Sequence, residues 1–203
     1  MRIYHQKKLE FFLKKLLGFS ESYSLKRRAQ RYFKTNTEKE IRILDKLVDH
    51  SKASIDIGVY RGVYTYFLSE LCKYVYAFEA NPLLFNKLKG GFKNKKNIKI
   101  ENVAVSSACG ETELRIPIRD ITANFDNEEK YKLGTATIHK TNKLENEKYD
   151  TIKSIKTISL DDYDFSHQIG FLKIDVEGHE LEIIHGAKKF IRKNMPTMLI
   201  EME

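Results

Sequence analysis

Between residues 53 and 79 the sequence restricts the chain to very few folds. Ala53-Ser-Ile-Asp-Ile57 is a short apolar run with polar flanks, the mark of a strand buried on both faces of a parallel sheet. Gly58 and Gly62 break the run, and a helical pattern follows through Tyr66, Phe67, Ser69 and Leu71. A second short strand, Tyr74 to Phe78, ends on Glu79. Strand, glycine turn, helix, strand and carboxylate make half of a nucleotide-binding unit. Glycine lets the backbone pass close to a ligand, and the helix start offers N–H groups with no intrahelical partner. An acid about 20 residues past the glycines is placed to accept hydrogen bonds from ribose hydroxyls.

The glycine spacing is Asp56-x-Gly58-x-x-x-Gly62, not Gly-x-Gly-x-x-Gly. Asp56 at the turn would repel a pyrophosphate but suits the ammonium of an amino-acid-like cofactor. S-adenosylmethionine therefore fits the pattern better than NAD. The same letters also suit a plain strand–turn–helix whose glycines serve only the turn.

The chain's charge is concentrated at its front. Of 36 Lys and Arg and 28 Asp and Glu, residues 1–36 hold ten basic against two acidic, which leaves the rest balanced at 26 of each. The expected division is a basic, amphipathic helical extension over 1–36 and a neutral catalytic domain over 37–203. Leu9, Phe12, Leu13, Leu16 and Leu17 line one side of a helix ended by Gly18, with lysines largely on the other. Lys26-Arg27-Arg28 and Arg31 follow in a second, polar helical piece. This front end suits docking on its own domain, contact with an anionic membrane surface, or nucleic acid. Aromatic interleaving is too thin to favour the last. No apolar run approaches a membrane span and no signal peptide is legible, so a cytoplasmic location, with peripheral membrane association, is expected. Cys72 and Cys109 form no disulfide framework and read as small hydrophobes.

Thr37-Glu-Lys-Glu40 reads as a capping box opening a helix with Ile41, Leu44, Leu47 and Val48 on its apolar face. Asn81-Pro82 opens another, with Leu84, Leu88 and Phe92 inward. Ile98 to Ser106 reads as a third strand, Gly110 to Ile118 as a further strand paired by hairpin, and Ile155 to Ile158 as a short one. Residues 119–153 are polar and aperiodic, an insertion suited to cover a site. Gly170-Phe-Leu-Lys-Ile-Asp175 is a buried strand ending on an acid, and Val176-Glu-Gly-His-Glu180 opens a helix using Leu181, Ile184, Ala187, Phe190 and Ile191. Met198 to Met202 is a last strand. Strands alternating with helices specify an α/β fold: a mostly parallel twisted sheet with helices on both faces. Asp56, Glu79 and Asp175 all fall at carboxyl ends of strands, where such sheets bind ligands.

Five stretches carry a resemblance: Asp56-Ile-Gly-Val-Tyr-Arg-Gly, Tyr76-Ala-Phe-Glu-Ala-Asn-Pro82, Asn102-Val-Ala-Val, Ser159-Leu-Asp-Asp-Tyr and Leu172-Lys-Ile-Asp-Val-Glu-Gly-His-Glu180. From about Ser54 onward the chain resembles the FkbM-type methyltransferases, which are class I, S-adenosylmethionine-dependent enzymes linked to O-methylation of sugars and other hydroxylated natural products. The resemblance implies a Rossmann-like class I methyltransferase fold. It implies that Asp56, Gly58 and Gly62 line the methionine end of the cofactor, that Glu79 holds the ribose, and that Asn102 to Ala104 lies near the adenine. Asp175 would face the reacting methyl group. Two departures stand out: Val59-Tyr60 replaces the usual small-Asn pair, and the family's fold continues past Met202 through another helix and two strands. C-terminal strands are accordingly expected to be missing from a chain that stops at Glu203.

A hydroxyl is a poor nucleophile, so methyl transfer to it benefits from a nearby base. Candidates are Asp175, Glu177, His179 and Glu180. Acids in a helix's first turn are favoured by its dipole whatever the function, which leaves Asp175 and His179 as the catalytic expectation. These acids could instead bind a divalent metal, but their spacing is not diagnostic and none is expected. The expected acceptor is a sugar, glycan or other small hydroxylated metabolite, with no nucleic-acid partner. The competing readings are a nucleic-acid methyltransferase and a non-catalytic scaffold that keeps the fold.

Overall fold

A computed structural model describes residues 20–118, 130–139 and 148–202. Five parallel strands form the main sheet: β1 (Ala53–Ile57), β2 (Tyr74–Phe78), β3 (Ile98–Glu101), β7 (Ile169–Ile174) and β8 (Thr197–Ile200), in the order β3-β2-β1-β7-β8. A second, smaller sheet joins β4 (Ala104–Val105), β5 (Gly110–Pro117) and β6 (Tyr149–Ile158), with β6 in the middle. The order reverses direction between β1 and β7. At that point a crevice opens at the carboxyl ends of the strands.

Alternation along the strands sends side chains to two cores. Ile55, Ile57, Tyr76, Phe78, Leu172 and Ile174 pack with Ile183 of α5 (Glu180–His185), Phe190 of α6 (Lys188–Asn194) and Ala187 between them. On the other face, Val75 and Phe171 meet Leu44 of α2 (Leu44–Leu47) and Leu68 of α3 (Val63–Leu71). Beside them, Ala77 meets Leu88 of α4 (Pro82–Gly91) and Leu25 of α1 (Glu21–Thr35). Helices thus cover both faces, as the strand–helix alternation requires.

The polar basic piece forms α1, capped by Ser20 and ended by Asn36 in the left-handed region. It docks on the domain through Leu25 and Ala29, both buried. Gly62, the left-handed N-cap of α3, makes room for this contact. A Cβ there would lie 2.8 Å from Leu88 and 3.2 Å from Leu25. The amphipathic helix expected over residues 3–17 lies outside the described residues.

Several local expectations are corrected. The Thr37 hydroxyl bonds Thr35 Oγ1 at 2.7 Å instead of capping a helix, and the segment is a 3-10 turn (Lys39–Arg42) followed by α2. The strand expected over Ile98 to Ser106 is broken at Asn102-Val103, and its end, β4, joins the second sheet. The partner of β5 is β6, which begins at Tyr149, so residues 149–153 belong to a long strand and not to the insertion. The helix after Asp175 is two helices broken at Gly186, where a Cβ would lie 2.2 Å from the Ser106 carbonyl oxygen. Within the first of them Leu181 is exposed and Ile183 is buried. Cys109 is exposed; Cys72 is buried and accepts from Ser54 Oγ. No helix among the described residues is long and apolar enough to cross a membrane.

Truncating Leu25 to alanine tests whether α1 belongs to this core. Loss of a buried leucine in a tight site costs ~2–4 kcal/mol, so urea unfolding of Leu25→Ala is expected at a clearly lower midpoint. An unchanged midpoint would show that α1 contributes nothing.

Candidate active site

A cleft lies at the carboxyl ends of β1, β2 and β7. Gly58 and Tyr60 bound it on the β1 side, Glu79 and Asn81 on the β2 side, and Asp175, Glu177 and His179 beyond β7. Apolar walls come from Phe78, Leu84, Val103 and Leu114. Residues of the insertion, Leu133 to Ile138, close one side.

Glu79 ties the site together. It is 6% exposed, and its two carboxylate oxygens accept from the Tyr60 and Asn81 backbone N–H groups, each at 2.8 Å. Burial pushes its carboxyl up to about 7, against the pull of those two donors. Tyr60 meets Glu79 because its backbone is left-handed (φ 51°), a conformation that costs a residue with a Cβ. Asn81 caps α4 through Leu83 N–H. The Asn102 amide donates to the carbonyls of Glu79 and Ala80, at 2.8 and 3.0 Å, and so holds this corner from behind.

The predicted site residues therefore separate. Gly58, Glu79, Ala104, Asp175 and His179 line the cleft. Asp56 lies behind the wall, fully buried, taking a 2.5 Å hydrogen bond from Thr65. Gly62 sits among Leu25, Leu88 and Phe92, and Asn102 acts on the backbone. Gly58, at φ 78°, is required because a Cβ would lie 1.8 Å from the Asp175 carbonyl oxygen. That crossing sets the β1 turn directly against Asp175. Of the replaced pair, Val59 points into the core and only Tyr60 reaches the cleft, its ring against Gly134.

His179 is 9% exposed. Its Nε2 is 2.9 Å from Ser106 Oγ, and its buried Nδ1 has no hydrogen-bond partner and lies 3.9 Å from Glu182. Burial lowers its pKa, favouring the neutral ring. Asp175 is more open, with a side chain 39% exposed and Oδ2 bonded by Lys173 Nζ at 2.7 Å. Thr137 donates to the Glu177 carbonyl at 2.6 Å, docking the insertion onto the turn that carries His179. Sequence reasoning missed Lys173, Ser106 and the Thr137 contact. Lys173 had a readable signal, a cation inside an apolar strand; the others had none. No group of three or more His, Cys, Asp or Glu that could hold a metal is found among the described residues.

Residues 56–203 match the model of the methyltransferase FkbM domain. The chain belongs to the FkbM family. It carries a methyltransferase domain of a family whose cofactor is S-adenosylmethionine. A protein of Streptococcus mutans described as a methyltransferase, solved in complex with SAH, is 28% identical over 34% of this chain and 40% of its own, with a TM-score of 0.32. An rRNA methylase of Streptococcus thermophilus is 21% identical over 34% of this chain and 42% of its own, at 0.31. The matched part thus spans about two fifths of either relative. Among curated proteins, none matches.

The cleft fits that cofactor on its own chemistry. Each Glu79 oxygen has one backbone donor and a remaining lone pair for a ribose hydroxyl, and the apolar walls suit a purine. Glu79 also leaves a signature in the cofactor-free chain. Its carboxyl titrates near 7 when folded and near 4.5 when unfolded, so between these values the folded state holds the extra proton. Stability from this group is full below about 4.5 and is lost as pH rises through about 7. The difference in unfolding free energy between wild type and Glu79→Gln is expected to fall across that window and level off above it. A difference flat with pH would show an ordinary carboxylate.

Proposed function

We propose that this chain transfers a methyl group from S-adenosylmethionine to a hydroxyl of a sugar, glycan or other small hydroxylated metabolite. The supporting observation is a half-exposed carboxylate, Asp175, on the cleft wall beside the Gly58 turn and across from Glu79. Glu79 holds the ribose, Gly58 lets the methionine end lie against the turn, and Val103 and Ala104 flank the adenine. The bound cofactor supplies an electrophilic methyl on a sulfonium. Asp175 would orient the acceptor hydroxyl toward that methyl and take up its proton.

Of the two base candidates, Asp175 has the stronger case. His179 has Nε2 against Ser106 and Nδ1 closed off from solvent, so it reaches an acceptor only by giving up that contact. Its neutral ring shapes the wall beside Asp175. The insertion, held at Glu177 by Thr137, keeps water from the reacting atoms. Contact of the basic front end with an anionic membrane surface is a further part of this reading.

The test is incubation with methyl-labelled S-adenosylmethionine and a panel of glycans, small polyols and RNA. Label is expected in a hydroxylated glycan or metabolite, with the rate falling by at least ~100-fold in Asp175→Asn, the scale of a lost general base. Label in RNA, insensitive to Asp175→Asn, would overturn the proposal.

A further inference from the structure

Lys173 is the one residue of the buried run Ile169–Ile174 that carries a charge, and it is 3% exposed. Its Nζ donates to Asp175 Oδ2 at 2.7 Å, lies 3.6 Å from Asp56 Oδ1, and sits 4.6 Å from the centre of the Tyr64 ring. The sheet imposes this arrangement. Asp56 and Lys173 are directly opposed across the β1–β7 pair, and Lys173 and Asp175, two residues apart, project to the same side. Asp56 has its Oδ2 taken by Thr65, while Oδ1 is buried without a hydrogen bond and faces the ammonium. An acid buried this completely is sustained by a nearby cation. The cation in turn reaches outward to a second acid on the cleft.

We propose that Lys173 is a positioning residue, anchored beneath the glycine turn on Asp56 and holding the Asp175 carboxylate toward the methyl-bearing end of the cofactor. The inference rests on the reading that Asp175 faces that end. A short side chain 39% exposed has other rotamers in water, and a buried donor at 2.7 Å selects one. Of the two acids around the ammonium, burial pushes the Asp56 carboxyl up, and only Asp175 lines the cleft. A carboxylate so held attracts a sulfonium cation and does little for the neutral thioether left after transfer. Asp175 then favours substrate over product, provided Lys173 fixes it.

The experiment is calorimetric titration of the full chain with S-adenosylmethionine and, separately, with S-adenosylhomocysteine, read as the ratio of the two affinities. Wild type is expected to prefer the sulfonium. Asp175→Asn is expected to lower that preference by about tenfold, the scale of one charge-assisted contact. Lys173→Met is expected to lower it by a similar factor, with no further loss in the Lys173→Met, Asp175→Asn pair. The sign is decisive, because removing a cation near a cationic ligand would by charge alone raise the preference or leave it unchanged. A ratio in Lys173→Met at or above wild type therefore overturns the proposal. An unchanged ratio in Asp175→Asn overturns the underlying placement of Asp175, a separate result. Should Lys173→Met fail to fold around the uncompensated Asp56, the Asp56→Asn, Lys173→Met pair removes the buried charge and is judged by the same ratio.

Discussion

A carboxylate withdrawn from water organises the cleft end of this domain. Glu79 closes β2 and binds two backbone N–H groups that belong to different units, Tyr60 in the glycine turn and Asn81 at the start of α4. Burying an acid is unfavourable, and two donors offset only part of that, which is why its carboxyl stays raised to about 7. The geometry it enforces explains its neighbours. Tyr60 takes a left-handed backbone to aim its N–H at the acid, and Asn102 secures the Glu79 and Ala80 carbonyls. The same two oxygens that hold the loops together each keep a second lone pair that a ribose would use. Structure and ligand recognition share one side chain.

A second constraint acts across the sheet. Gly58 lets the Asp175 backbone pass where any Cβ would collide, so the β1 turn and the end of β7 meet. Below that crossing Asp56, Lys173 and Asp175 form a charged column from the core to the cleft. The insertion reaches the same place from the second sheet, with Thr137 on Glu177 and Gly134 against Tyr60. Three chain segments distant in sequence thus converge on a few ångströms of wall.

The main sheet was legible because its strands are apolar runs of the right length ending on acids, and because Asn81-Pro82 is a local cap that needs no tertiary help. Glu79 and Asp175 were readable as strand-end acids for the same reason. What escaped depended on partners far away in sequence. The Thr37 capping box failed because Thr35 captured its hydroxyl, and the helix after His179 broke because Gly186 lies against Ser106. Neither contact is visible in a window of a few residues. Asp56 and Gly62 match a cofactor pattern; in the fold Asp56 Oδ1 lies 3.6 Å from Lys173 Nζ, and Gly62 leaves room for Leu25 and Leu88.

The central claim is that Glu79 is the ribose-binding acid of a cleft built for S-adenosylmethionine. It is tested most directly by a crystal structure of the chain grown with S-adenosylhomocysteine. Both ribose hydroxyls are predicted within hydrogen-bonding distance of the Glu79 carboxylate, with the amino-acid end along Gly58 and the sulfur facing Asp175. A ligand bound with its ribose away from Glu79, or outside the cleft, would contradict the account.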